Sequence, residues 1–262
     1  MADEHATLKA RYDEIALSGD ERTTACDFQL RELEIDLGRE YIRDGDAVLD
    51  VGCGPGVALR DYASKRRIRA CGIDYSENMV EAARRNLEET APELEVEFQM
   101  ASVTELPYPD GEFDVVTSHR CLMALLDWSR QQEALRDIHR VLKPRGVLVL
   151  MEGTWEGIDR LNQYRRRFGL SEIDPAGKDR LLTLKFHEPQ LLEFTEPLYE
   201  LLRIQRFGMY YFLTRIVQPL LVAPDPPSYD HPLNEVAKQI ARAVPDFEGL
   251  GHLTGFVLRK RP

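Results

Sequence analysis

The chain has 262 residues, of which 43% are hydrophobic and 30% charged, with a formal net charge of −11. That balance excludes a disordered or fibrous chain and describes one large soluble domain. The acidity argues against nucleic acid as a partner, because such binding rests on cationic contacts.

The first 42 residues read as a helical, amphipathic cap made of LKARYDEIAL and a second segment around FQLRELEIDLGREYI. No apolar run follows the opening Met-Ala-Asp-Glu-His, so no secretory leader is expected. From about Asp46 onward, strand-like and helix-like segments alternate, which predicts a parallel sheet covered on both faces. The predicted strands are Ala47–Val51, Ile68–Ile73, Leu94–Met100, Phe113–Ser118 and Val147–Met151, with two later ones near Leu201–Phe207 and Thr254–Arg259. Between them, Ser76 caps a helix whose Met79, Val80, Ala83 and Leu87 recur at helical spacing. RQQEALRDIHRVL repeats the pattern with Ala134, Leu135, Ile138, Val141 and Leu142, and Pro144 stops it.

Residues 209–251 interrupt the alternation between the last two strands and read as a substrate lid with helices of its own. Their greasy run, Met209 to Ala223, is too short to span a bilayer and is broken by Thr214, Arg215, Gln218 and Pro219. The expected compartment is therefore the cytoplasm. The four cysteines (Cys26, Cys53, Cys71, Cys121) form no CxxC pair and the six histidines show no metal-ligand spacing, so reduced thiols and no metal are expected.

The chemistry concentrates at VLDVGCGPGV. Here the first strand ends in Asp50, and Gly52, Gly54 and Gly56 turn the chain into a helix. Glycines let a ligand touch the main chain, and the helix aims its N-terminal amides at the same place. The second strand ends in GIDYSENM, which puts Asp74 where an acid reads ribose hydroxyls at such a switch point. This spacing points to an adenosine-containing ligand. Three features favour S-adenosylmethionine over NAD: GxGxG spacing, Asp50 two residues before Gly52, and no obvious phosphate-neutralising group nearby.

VLDVGCGPG, GIDYSENMV, LPYPDGEFDVV and HRVLKPRGVLVL resemble, in order, the successive motifs of class I S-adenosylmethionine-dependent methyltransferases of the small-molecule type, over roughly Asp46 to Glu152. The resemblance implies a Rossmann-like α/β fold: a seven-stranded, mostly parallel sheet with the last strand antiparallel, helices on both faces and a helical cap. It also implies roles. Asp50, Gly52, Cys53, Gly54 and Gly56 would line the methionine part of the cofactor, Asp74 would take the ribose hydroxyls, and Tyr75 and Met79 would flank the adenine. Ser102 stands where the family usually has an aspartate, so Ser102 and the Val103 amide would make a weaker adenine contact. Arg145 departs from the family's double glycine in LKPRG.

Methyl transfer from a sulfonium asks the protein to align the acceptor, exclude water and, for a hydroxyl or amine, take a proton. Ser118, His119 and Arg120 follow the fourth strand, at the point that often chooses the acceptor. His119 is a candidate base, or else a residue that lines the cofactor, as Ser118 would, and Arg120 is a candidate substrate contact. Glu152, at the end of the fifth strand, could fix or deprotonate a substrate or cap a helix. Asn162 and Arg166 share a helix face and are candidates for gripping a polar acceptor. Tyr210, Tyr211 and His231 from the lid and Tyr12 from the cap would contact the substrate, or the aromatic stripe would simply pack the cap. Arg31 would reach the cofactor carboxylate. The [DNS]PP[YFW] motif is missing, which argues against nucleobase or glutamine acceptors. The expected acceptor is thus an O or N atom, less readily a C atom, of a sugar, natural product or lipid-like precursor, and a homodimer is compatible with the sequence. An NAD-linked oxidoreductase and a non-catalytic cofactor-binding module are the competing readings.

Overall fold

Ala47–Val51 (β1) is apolar except for Asp50, and all five residues are buried because the strand has neighbours on both sides. In a computed structural model that describes residues 2–17, 26–174 and 183–262, β1 pairs in parallel with Arg69–Asp74 (β2) and with Phe113–His119 (β4). Val96–Met100 (β3) extends the sheet beyond β2. On the other side come Leu142–Gly153 (β5), Leu253–Lys260 (β7) and Tyr199–Arg206 (β6), giving the order β3-β2-β1-β4-β5-β7-β6. β7 runs antiparallel to both of its neighbours, β5 and β6. The seven predicted strands are all present, and β5 starts earlier than expected because Leu142 leaves the preceding helix to pair with Phe113.

Side chains alternate across the pleat. Val48, Val115 and Val149 face one core, while Leu49, Val116, Leu148 and Leu150 face the other. The first core is covered by Phe28–Tyr41 (α2), Val57–Lys65 (α3) and Glu77–Thr90 (α4), through Leu30, Leu59 and Val80. Trp128–Val141 (α5) and Glu188–Thr195 (α7) cover the second, through Leu135, Ile138 and Leu191, while Trp155–Arg167 (α6) follows β5 and adds Leu161 to the first. Local signals set these helices. Ser76 Oγ accepts from the Met79 amide at 3.1 Å to start α4, and Asp127 Oδ1 accepts from the Ser129 amide at 2.8 Å to start α5.

Ala2–Leu17 (α1) packs on α4, where Ser76 Oγ donates to Asp13 at 2.5 Å. Residues 1 and 18–25 of the expected N-terminal cap lie outside the described residues. Between β6 and β7 the chain forms Gly208–Phe212 (α8), a π-helical turn at Leu213–Val217, Gln218–Val222 (α9) and Pro232–Ala243 (α10). This insertion packs against α2, with Lys238 at 2.6 Å from Glu32 and Arg242 at 2.7 Å from Asp36. Among the described residues no helix is long and apolar enough to cross a membrane.

Candidate functional site

Strand order reverses at β1, whose neighbours β2 and β4 lead away to opposite edges, so a crevice opens at the carboxyl ends of these strands. A cavity of ≈ 350 Å³ lies there. Its floor is the turn after β1. Gly52, Gly54 and Gly56 have φ of 68°, 52° and 79°, all in the region that favours glycine. A Cβ on Gly52 would lie 2.5 Å from Cys121 Sγ, and one on Gly56 would lie 2.8 Å from the Phe98 ring. A Cβ on Gly54 would meet nothing within 4 Å, because its bare backbone faces the cavity.

Asp74, at the end of β2, is tied to this turn. One carboxylate oxygen accepts from the Gly54 amide at 3.0 Å, the other from the Ser76 amide at 2.9 Å. Burial pushes its pKa up, and those two amides pull it back. Asp50 lies on the cavity wall and accepts from Thr117 Oγ1 at 2.7 Å. Burial raises its carboxyl to about 7, against the Thr117 hydrogen bond and the charge of Arg31. Met79, Ser102 and Val103 line the cavity, and Tyr75, which also lines it, is largely exposed. Ser102 Oγ pairs with Thr104 Oγ1 at 2.8 Å, so its hydroxyl is held within its own turn.

α1 and α2 form the roof, with Lys9 and Tyr12 from the first and Arg31 from the second. His119 and Arg120 close the inner wall. The His119 side chain is 8% exposed. Its Nε2 is 3.2 Å from the Tyr62 hydroxyl, and its Nδ1 is 4.0 Å from Glu34. Burial lowers its pKa to about 3, assisted by Arg31 and Arg120, so the imidazole is neutral at ordinary pH. Arg120 has φ 58° and brings Nη2 to 3.1 Å from Glu34.

Several predicted residues lie elsewhere. Gly56 and Ser118 do not reach the cavity: Gly56 caps α3, and Ser118 Oγ donates to Glu152 at 3.1 Å. Glu152 is fully buried and also accepts from the Leu122 and Met123 amides at 2.9 and 3.0 Å. With its oxygens engaged in this way, it braces the turn after β4 and faces no acceptor. Burial raises its pKa to about 7 against those bonds. Asn162 binds the backbone of Ile173 through both side-chain atoms, at 2.8 Å each. Arg166 pairs with Glu172 on the surface at 2.5 Å. Tyr210 and Tyr211 are fully buried: Tyr210 donates to Asp27 at 2.5 Å, and the Tyr211 hydroxyl accepts from the Leu253 amide at 3.3 Å. His231 Nδ1 accepts from the Leu233 amide at 3.1 Å and so caps α10. Residues 209–251 contribute nothing to the cavity wall; their aromatics pack the insertion onto the sheet.

Cys121, Ala124 and Leu125 line the cavity without having been singled out. They belong to the apolar half of SHRCLMALLD, whose polar half drew attention. Glu34 was missed as well, although Arg31, Glu34 and Gly38 are spaced to share one strip of α2.

Residues 48–146 match the family model described as a methyltransferase domain. Among curated proteins, 27-O-demethylrifamycin SV methyltransferase of Amycolatopsis mediterranei (strain S699) is 37% identical over 109 residues, 42% of this chain and 39% of that protein. The ubiquinone/menaquinone biosynthesis C-methyltransferase of Ectopseudomonas mendocina (strain ymp) is 32% identical over 141 residues, 52% of this chain and 53% of that one. The chain thus spans about half or less of the length of the curated relatives it matches. Over the whole fold, it resembles a chain of the solved complex between the Haloferax volcanii Trm112 methyltransferase activator and a methyltransferase. That match has TM-score 0.64 and 18% identity and covers 96% of this chain and 97% of the other, a likeness of fold. Residues 48–146 are thus similar to a methyltransferase domain, and over the whole chain the likeness is one of fold.

Proposed function

We propose that the protein binds S-adenosylmethionine in the cavity at the ends of β1, β2 and β4 and methylates a small molecule. The observation that carries this reading is the coupling of Asp74 to the glycine turn. Its carboxylate is held by the Gly54 and Ser76 amides beside a stretch of backbone with no side chain over it. Each oxygen keeps a second lone pair for a ribose hydroxyl. The cofactor supplies an activated sulfonium methyl.

The chain's own part is alignment and exclusion of water. Asp74 fixes the ribose end, Asp50 and the backbone of Gly52, Cys53 and Gly54 line the amino-acid end, and Met79, Ser102 and Val103 hold the base. Tyr12 and Lys9 cover the ligand from α1, which gives residues 1–42 the role of a cap. His119, with a strongly depressed pKa and Nε2 directed at Tyr62, is a weak proton acceptor. Its role in this reading is to shape the inner wall. A small acceptor suits a cavity of this size, and both curated relatives named above are methyltransferases whose printed names concern small molecules. The proposed acceptor atom is oxygen or nitrogen. Carbon is the second reading, because one of those relatives is a C-methyltransferase.

Calorimetric titration with S-adenosylhomocysteine and with NAD tests the reading. Micromolar affinity for the former and none for NAD is expected, and the reverse would end it.

A further inference from the structure

Glu34 lies in the middle of α2 with none of its surface exposed, and neither carboxylate oxygen accepts a hydrogen bond. Arg120 Nη2, 3.1 Å from Oε2, is close enough for charge pairing but off the line of a hydrogen bond. A buried carboxylate without hydrogen bonds is costly and rare in folded proteins. Arg120 itself is strained: a long side chain at φ 58° occupies the left-handed region, which persists only where its surroundings hold it. They do so here from two sides. The Arg120 amide donates to Met151 at 2.8 Å, and Glu152 grips the next residues but one, Leu122 and Met123. Among the described residues the guanidinium has a single ionic partner, Glu34, while Arg120 itself lines the cavity. A guanidinium carries five donors in a planar fork, so one charge contact behind it leaves donors for a ligand in front. Arg31 lines the same wall and bears on Glu34 as a second positive charge.

We propose that Arg120 is a carboxylate grip on the inner wall of the cavity and that Glu34 is its positioning residue, holding the guanidinium from behind. The proposal rests on the cofactor-binding reading above. The carboxylate belongs either to the amino-acid end of the cofactor or to an acidic methyl acceptor, and binding experiments separate the two.

S-adenosylhomocysteine and 5′-methylthioadenosine share the nucleoside thioether, but only the first has the carboxylate. If Arg120→Met weakens S-adenosylhomocysteine roughly tenfold or more, as for a lost hydrogen bond to a charged group, and leaves methylthioadenosine unchanged, the cofactor's carboxylate is the one held. If neither changes, benzoate is titrated into protein saturated with S-adenosylhomocysteine. Binding by the wild type that is lost in Arg120→Met then assigns an acidic acceptor. Absence of both effects overturns the grip. Arg120→Gly relieves the backbone strain but strands buried Glu34, so Arg120→Gly combined with Glu34→Gln is the variant that should keep the fold and still lose the same discrimination.

For Glu34, the isosteric Glu34→Gln should reproduce the loss, and Glu34→Gln combined with Arg120→Met should bind no more weakly than Arg120→Met alone. Additive losses would mean that Glu34 acts independently of Arg120, which overturns its positioning role. A wild-type protein that binds neither nucleoside refutes the cofactor reading itself. That outcome differs from intact binding without discrimination, which refutes only the grip.

Discussion

Asp74 and Asp50 lie at the ends of adjacent strands, on the wall of one cavity, yet their surroundings give them different tasks. Asp74 is fixed by two amides, so its remaining lone pairs point where a ligand's hydroxyls would come. Asp74→Ala should therefore weaken S-adenosylhomocysteine by about 1.5–3 kcal/mol, the range for a hydrogen bond to a charged group, and an unchanged titration isotherm would remove the assignment. Asp50 is buried on a single hydroxyl bond, and its pKa, about 7, stands well above the ordinary 3.8. The folded state then keeps a proton that the unfolded state releases. The resulting stabilisation is complete below about pH 4 and is lost as pH rises to about 7. Asp50→Asn cannot ionise in either state, so its stability relative to the wild type should climb across that window by about 1.4 kcal/mol per pH unit. Parallel denaturation midpoints for the two proteins between pH 4 and 7 would show that Asp50 is ionised throughout. Buried neutral His119 and His252, each lowered to about 3, act with the opposite sign, but they are common to both proteins and cancel in the comparison.

Among the elements, those with strong periodicity were readable from the sequence. β1 is bounded by its glycine turn, α4 is marked by Ser76 ahead of an apolar stripe, and α5 by its own stripe with Pro144 beyond it. The turn on the cavity floor was legible for the same reason: a turn that needs positive φ three times leaves a pattern of glycines. The acceptor side was not legible. Tyr210 and Tyr211 look like substrate contacts in one dimension, but their hydroxyls are used up on Asp27 and Leu253, a partnership between distant segments that no local pattern encodes. Glu152 misled for a similar reason, since its partners come from the turn after another strand. Arg145 shows an element tolerating a poor local choice. It is exposed with φ 65° inside the long β5 segment, where the related pattern has glycine. A left-handed non-glycine residue costs about 1–2 kcal/mol, and glycine's extra chain entropy offsets about 0.5–1. Arg145→Gly should consequently raise stability by about 0.5–1 kcal/mol in urea unfolding, and a lower midpoint would show that the side chain contributes something its exposure hides.

Taken whole, the molecule covers its cavity from the N-terminal side. The long insertion before β7, expected to be a lid, instead packs on α2, the helix that carries Arg31 and Glu34. The covering role falls to α1, attached through Asp13 and Ser76 and presenting Tyr12 and Lys9. Removal of residues 1–17 should leave cooperative unfolding intact, because among the described side chains α1 contributes only Ala16 to the core. It should also speed the release of S-adenosylhomocysteine, and an unaltered dissociation rate in stopped-flow would exclude α1 from the roof.

β7 is sandwiched between β5 and β6 and is almost wholly buried, with Phe256, Val257 and Leu258 at the centre of both cores. It is also translated after every other strand. A ribosome making this chain must therefore hold a sheet in which β5 shows an open edge and β6 has no strand to pair with, until β7 arrives. Protection from mispairing during that interval falls to whatever shields the nascent chain, and the finished architecture can lock only when Leu253–Lys260 slides into the gap.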